Sequence, residues 1–322
     1  MNSVPYVTVD VFTRTRFAGN QLAVIPDARG LSDAEMQGIA AEFDYSESAF
    51  VLPPDDAASL ARVRIFTPTD EIPFAGHPNV GTAFVLGRQG DLFGRPVPDI
   101  LQFEERAGLV SVTLIRDGGQ VVGARIAAPC PLEISHAIDA GTIAACASLD
   151  IADLMLDGMP PVMASVGLPF ALAEVASLEA LARARPDTAA FALGDRRYPH
   201  KDDHFALLLF LRVTEDGSRL RARMFAPLSN TPEDPATGSA AAALAARLLS
   251  LRPERDLDTR LVMEQGIEMG RPSTILLDIK KVAGVAQPVQ VSGHCIEVMS
   301  GTLQIRAPEA PPPNLHLKGK AE

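Results

Sequence analysis

Cysteine is scarce. Cys130, Cys146 and Cys295 are the whole supply in 322 residues, too scattered to frame a disulfide scaffold or a zinc site. No apolar run reaches membrane-spanning length, and no charged segment followed by an apolar one opens the chain. Positive charge is short as well. The formal net charge is −11 with no basic stripe to offset it, which excludes nonspecific nucleic-acid binding. The expected setting is the cytoplasm, with neither nucleic acid nor membrane as partner. The chain also lacks a dinucleotide fingerprint, a pyridoxal lysine context, a phosphate loop and a serine elbow. His200 and His204 are four apart but lack the glutamate of a zinc protease, and read as loop. No metal and no cofactor is expected, so chemistry would run on side chains alone.

What is present is a repeat. His77-Pro78-Asn79-Val80-Gly81-Thr82-Ala83 recurs about half a chain later as Asp234-Pro235-Ala236-Thr237-Gly238-Ser239-Ala240. Pro, Gly, a hydroxyl and Ala stay in register while the leading residue changes from His to Asp. The flanks agree too: Arg64-Ile65-Phe66-Thr67-Pro68 precedes one copy and Arg223-Met224-Phe225-Ala226-Pro227 the other. Such a period is too long for a solenoid and implies two related domains, which the chain is long enough to fill. With 47% hydrophobic and 21% charged residues the composition is that of a soluble globular protein. A break near Pro129-Cys130-Pro131 gives domains of 1–128 and 129–308, the final strands being free to pack back on the first domain, with a Pro-rich tail over 309–322.

Alternation predicts strands at 7–12, 22–25, 62–66, 109–115, 121–126, 205–213, 220–225, 274–279 and 296–305. Hairpin punctuation such as Asp117-Gly118-Gly119 favours an antiparallel or mixed sheet. A helix starts at Ser32, where Glu35 completes a capping box and Leu31 and Met36 a hydrophobic staple. Two more follow the repeated motif, at 79–88 and 236–250. The second carries no charge until Arg247, the pattern of a buried helix with strands packed around it. The fold class is therefore α+β.

Each motif copy is expected to place Gly and a hydroxyl in the first turn of a buried helix. Free N–H groups and the positive dipole end there favour an anion such as a substrate carboxylate. Ordinary helix capping by Asp, Thr and Ser is the competing account. His77 and Asp234 lead the two turns and would face each other across an interdomain cleft. Glu47 lies where the first helix ends and a strand begins, beside Tyr45 and Phe50. A carboxyl in a partly apolar cleft has its pKa raised and becomes a usable base; a solvated strand-end Glu is the plainer alternative.

Together these residues resemble the PhzF-like isomerases, within the diaminopimelate epimerase-like fold. The likeness runs through Val9-Asp10-Val11-Phe12, Phe17-Ala18-Gly19-Asn20, Ser46-Glu47-Ser48-Ala49-Phe50 and Phe66-Thr67-Pro68. It continues in Glu71-Ile72-Pro73-Phe74-Ala75-Gly76-His77-Pro78, in Glu233 through Ala240, in Gln265 through Ser273 and in Ser300-Gly301-Thr302-Leu303. The resemblance implies two pseudo-symmetric domains, each a rolled mixed sheet around a central helix, a homodimer, and no cofactor. It implies Glu47 as acid/base, with His77, Asp234 and Ser239 orienting a small carboxylate-bearing substrate and the Gly76 and Gly238 backbone helping to hold it. The expected reaction is movement of a proton between two carbons. An amino-acid epimerase or racemase, or a non-catalytic binding protein on the same fold, are the rivals. The two-cysteine racemases of the wider fold are disfavoured, because neither glycine-rich turn carries a cysteine. Two stretches fall outside these motifs, the polar loop 228–232 and the segment 149–197, and both are expected near the pocket.

Overall fold

Strands with alternating burial wrap around two apolar helices. The structure, a computed structural model, describes residues 3–200 and 204–305; the Pro-rich tail lies outside them. Six α-helices occur among the described residues: α1 (Asp33–Phe43), α2 (Gly76–Gln89), α3 (Ala140–Ala147), α4 (Leu178–Arg183), α5 (Thr188–Arg197) and α6 (Gly238–Ser250).

In the first lobe Ser3–Val11 pairs antiparallel with Asn20–Ile25, which pairs parallel with Glu47–Leu52. That strand is antiparallel to Ala61–Phe66, which runs parallel to Ile100–Glu105, and Gly108–Asp117 and Gln120–Ala127 follow antiparallel. The second lobe repeats the alternation. Val162–Ser165 is antiparallel to Pro169–Val175, which is parallel to Leu207–Arg212. Arg219–Ala226 follows antiparallel, Leu257–Gln265 parallel to it, and Ser273–Val282 antiparallel again. The repeat in sequence is a repeat in topology. α2 packs inside the first roll and α6 inside the second. The fold is α+β with two pseudo-symmetric rolled mixed sheets, as expected from the sequence.

The last strand, Gln290–Gln304, belongs to both lobes. It pairs with Ser3–Val11, with Gln120–Ala127 and with Ser273–Val282. It starts six residues earlier than alternation predicts. The turns leading to the two motif copies are pinned alike. Arg64 grips Glu71 through two 2.8 Å hydrogen bonds, and Arg223 grips Glu233 through another two at 2.8 Å. Planar guanidinium-to-carboxylate pairing fixes orientation as well as distance.

The two copies differ in where the helix begins. α2 starts at Gly76, ahead of the expected residue 79, because Pro78 is tolerated in a first turn that needs no N–H. α6 starts at Gly238, after the expected 236. Buried Gln265 bonds the Asp234 carbonyl at 2.8 Å and the Thr237 N–H at 3.2 Å, so the segment between stays extended. Consequently Gly81 and Thr82 sit in the second turn of α2, not at its start. Gly81 is a packing glycine: a Cβ there would lie 2.5 Å from Leu22 Cδ2 and 2.9 Å from Val11 Cγ2. Ala in place of a helix-interior Gly normally stabilises by about 0.5–1 kcal/mol, whereas overpacking a dense core costs about 1–3 kcal/mol. Gly81→Ala is therefore expected to lower stability in urea denaturation; a raised midpoint would show that the core yields at this point.

Candidate active site

Glu47 opens its strand just after α1 ends at Asp44, in the left-handed conformation. Ala49 and Val51, on the same face by strand alternation, belong to the core around α2, so Glu47 stands at the inner rim of the first roll. His77 is the second residue of α2, and Asp234 ends the strand Thr231–Asp234 of the other lobe. The fold brings all three together. His77 Nε2 lies 3.4 Å from Glu47 Oε2, and neither atom has a hydrogen-bond partner among the described residues. His77 and Asp234 are buried, and the Glu47 side chain retains 18% exposure.

Asn20, to which the sequence reading gave no role, joins the lobes at this point. Its Nδ2 donates to Asp234 Oδ1 at 2.9 Å and to the Ala236 carbonyl at 3.0 Å, and lies 3.4 Å from His77 Nδ1. Its Oδ1 accepts from Ser46 Oγ at 3.2 Å. Thr237 Oγ1 donates to the other Asp234 oxygen at 2.5 Å. A tie from the second lobe holds the loop that carries Asn20. Arg271 bonds Asp10 Oδ1 at 2.6 Å and the Ala18 and Gly19 carbonyls, while the Gly19 N–H donates to the Pro272 carbonyl at 3.2 Å. The signal was in the sequence: Asn20 and Arg271 fall in two of the motifs that carry the resemblance. Their reach across the cleft was not.

Burial sets the charge states. It pushes the Glu47 carboxyl up to about 7, with the neighbouring Ser46 hydroxyl opposing. It pushes Asp234 up to about 6, helped by the nearby Glu47 charge and opposed by His77, Thr237 and Asn20. It pulls His77 down to about 4, with the Asp234 charge and the Gln21 main chain opposing. A proton between Glu47 and His77 therefore resides on the carboxyl, and the contact is a neutral pair at acidic to neutral pH.

The remaining candidates, Gly76, Gly238 and Ser239, meet where the two central helices start. A Cβ on Gly76 would lie 3.9 Å from the Ser239 nitrogen and 4.0 Å from Gly238 Cα. Neither helix start has a side-chain cap. α1, α3, α4 and α5 all do, from Ser32, Asp139, Ser177 and Asp187. Asp234 and Thr237 hydrogen-bond to each other instead of capping α6, so the ordinary capping account does not describe this turn. Beside the two starts is a narrow pocket walled by Phe74, Ile126, Val166, Leu168 and Val291. Among the described residues no cluster of His, Cys, Asp and Glu is arranged to hold a metal ion, and no helix is long and apolar enough to cross a membrane. All three cysteines are free and none lies in this cluster.

Two rolled mixed sheets, each around a central helix, make an α+β protein with the diaminopimelate epimerase-like fold. The chain belongs to the phenazine biosynthesis-like protein family, whose model matches residues 9–301. It is 38% identical over 308 residues to an uncharacterized isomerase of Mesorhizobium japonicum, covering 95% of this chain and 100% of that one. It is 34% identical over 302 residues to the trans-2,3-dihydro-3-hydroxyanthranilate isomerase of Pseudomonas fluorescens, covering 92% and 98%. The crystal structure of a PhzF-family protein from Bacillus anthracis superposes with a TM-score of 0.82 at 23% identity, covering 95% of this chain and 100% of that chain, and shares the fold. The protein is thus an enzyme of a family of isomerases.

The raised Glu47 pKa has a stability consequence. Between the ordinary value of 4.5 and about 7 the folded state holds the proton more tightly than the unfolded chain. That contribution is complete below 4.5 and is lost as pH rises through 7. Glu47→Gln should accordingly be more stable than the unsubstituted protein at pH 8, by about 1–3 kcal/mol, with the advantage gone at pH 4.5. Urea denaturation at both pH values measures it; an identical difference at the two would mean the carboxyl is not perturbed by the cleft.

Proposed function

We propose that this enzyme isomerises a small carboxylate-bearing molecule by moving one proton between two of its carbons, without a cofactor. The observation that carries this reading is Glu47 Oε2: enclosed, without a hydrogen-bond partner among the described residues, and on a carboxyl that titrates near neutrality. Such a group can both take and return a proton. In the proposed reaction ionised Glu47 removes a proton from an acidic C–H, leaving an anion delocalised toward the substrate carboxylate. The Glu47 carboxylic acid then delivers that proton to another carbon on the same face, and the double bond shifts between them. Gly76, Gly238 and Ser239 hold the carboxylate at the two uncapped helix starts. The dipoles and N–H groups there stabilise charge that spreads toward them in the transition state. His77 and Asp234 orient the substrate's other polar atoms, and Asn20 fixes both.

Epimerisation fits less well. It needs a second acid opposing Glu47 across the carbon, but both Asp234 oxygens already accept hydrogen bonds, from Asn20 and Thr237. Domains of 1–128 and 129–308, with the second half of Gln290–Gln304 packing back on the first, a homodimer and a cytoplasmic setting form part of the same proposal.

The test is deuterium uptake from deuterated water across a panel of unsaturated carboxylates. Glu47→Gln is expected to slow exchange by about a hundred- to ten-thousandfold while carboxylate binding persists. In the unsubstituted enzyme kcat/KM should climb with pH and level off above about 7, where Glu47 is ionised. Asp234→Asn and Ser239→Ala should weaken binding together with rate. Exchange at the unsubstituted rate in Glu47→Gln would remove Glu47 from the mechanism.

A further inference from the structure

Gln265 closes the strand Leu257–Gln265 and is fully buried against the turn that carries Asp234. The backbone holds it there. Gly266, next along, has φ +75°, and a Cβ on it would lie 2.6 Å from the Pro235 carbonyl oxygen, so glycine lets the strand end this close to the turn. Three hydrogen bonds then fix the side-chain amide. Its Nε2 donates to the Asp234 carbonyl at 2.8 Å and to Thr237 Oγ1 at 3.1 Å, and its Oε1 accepts from the Thr237 N–H at 3.2 Å. A carbonyl only accepts and an N–H only donates, so the amide has one orientation.

The atom that Gln265 turns to Thr237 is therefore a donor. The Thr237 hydroxyl has one proton and cannot aim it at that atom, so the proton goes to Asp234 Oδ2. Asn20 donates to Oδ1, and both Asp234 oxygens are thus acceptors. A proton on Oδ2 would displace the one that Thr237 supplies and leave it unpaired in a buried place. The charges that face Asp234 are those of Glu47 and His77; the neighbouring Arg223 and Arg271 are engaged by Glu233 and Asp10.

The first lobe fills the equivalent position differently. Arg62 pairs with Glu104 as Arg221 pairs with Glu264, so the residues that follow, Glu105 and Gln265, correspond. Neither Glu105 carboxyl oxygen has a hydrogen-bond partner among the described residues, whereas the Gln265 amide makes three hydrogen bonds. Of the two strand ends, the one beside Asp234 carries the directed donor. We propose that Gln265 is a positioning residue: its amide aims the Thr237 hydroxyl proton at Asp234, which makes Asp234 a fixed acceptor and leaves Glu47 as the group that moves a proton. The aiming is a matter of hydrogen-bond direction alone; its catalytic consequence rests on the roles of Glu47 and Asp234 in the proposed reaction.

Gln265→Glu keeps the shape but offers Thr237 an acceptor, so the hydroxyl is free to turn away from Asp234. Thr237→Val removes the hydroxyl. Carbon NMR of the carboxyl-labelled full-length enzyme follows Asp234 directly, its signal assigned by its loss in Asp234→Asn. Each variant should raise the proton affinity of Asp234 by about tenfold to a hundredfold. Thr237→Ser, which retains the hydroxyl, should titrate like the unsubstituted enzyme. Gln265→Glu added to Thr237→Val should change nothing further, since the hydroxyl is already gone. An Asp234 titration unmoved by Gln265→Glu overturns the proposal. So does a further rise in the double variant, which would mean that the introduced carboxyl acts by its charge. If Gln265→Glu does not fold, the unsubstituted enzyme decides. Both Gln265 amide protons and the Thr237 hydroxyl proton should exchange slowly with water, and the hydroxyl resonance should follow the Asp234 titration; rapid exchange at either amide proton overturns the aiming. With substrate, Gln265→Glu should carry kcat/KM to its plateau at a higher pH, in step with Asp234. A displaced Asp234 titration with an unmoved rate profile would leave the aiming in place and remove Asp234 from the proposed reaction.

Discussion

The strand Gln290–Gln304 is the constraint on which the site depends. Its first half completes the second roll and lies against Gln120–Ala127; its second half completes the first roll against Ser3–Val11. The hand-over falls at His294 and Cys295, and it demands close backbone approach. A Cβ on Gly123 would lie 2.0 Å from the Gly293 carbonyl oxygen, and one on Gly293 would lie 2.3 Å from the Phe12 ring. Only glycine admits such a crossing. Hydrogen bonds from Thr13 N to the His294 carbonyl and from Thr274 N to the Phe12 carbonyl bind the same corner. Because the two rolls share backbone, the helices inside them cannot choose their relative orientation, and their starts meet across the cleft. Arg271 and Asn20 then tie loop to loop over that junction.

Three ionisable groups packed at such a junction cannot all be charged. Desolvation raises both carboxyls and lowers the imidazole, and the protein resolves the conflict by dividing the roles. Asp234 receives hydrogen bonds from Asn20 and Thr237, which offset part of its burial and let it carry charge near neutrality. Glu47 has only the Ser46 hydroxyl opposing its desolvation and so keeps its proton to a higher pH. His77 stays neutral. Two carboxyls of similar chemistry end with different proton affinities because their hydrogen-bond partners differ, which is the arrangement an acid–base catalyst needs.

Much of this was legible in the sequence, and the rest was hidden for identifiable reasons. The α1 capping box, the buried character of α6 and the alternating strands are local patterns, and each formed as read. The repeat exposed the pseudo-symmetry because both copies face the same packing problem. Strands such as Pro169–Val175, buried along almost their whole length, show no alternation and escaped notice. Helix starts were misplaced in both copies, since Pro78 and Gln265 decide them, and Gln265 lies far along the chain. Glu47, His77 and Asp234 were identifiable by type and position. Asn20 was not, because its function is defined by contacts with residues more than two hundred positions away.

The pattern of caps reveals how the two central helices differ from the others. Four helices end their N-termini with a side-chain acceptor, the ordinary solution for free N–H groups. The cap position of α6 holds Thr237, which bonds Asp234 instead; that of α2 holds Ala75, and Asn79 of its first turn donates back to the Ala75 carbonyl at 3.0 Å. These side chains brace the turns and supply no cap for the N–H groups of either helix start. In the proposed reaction this separates two tasks that a single group would perform poorly. The helix starts hold a charge that must remain, and Glu47, a short distance away on a strand, handles a proton that must move. A second mobile acid opposite Glu47 would require one of the braced residues to release its partners, and the brace is what keeps the two lobes in register. The same contacts that close the cleft thus favour transfer along one face of the substrate over inversion at a single carbon.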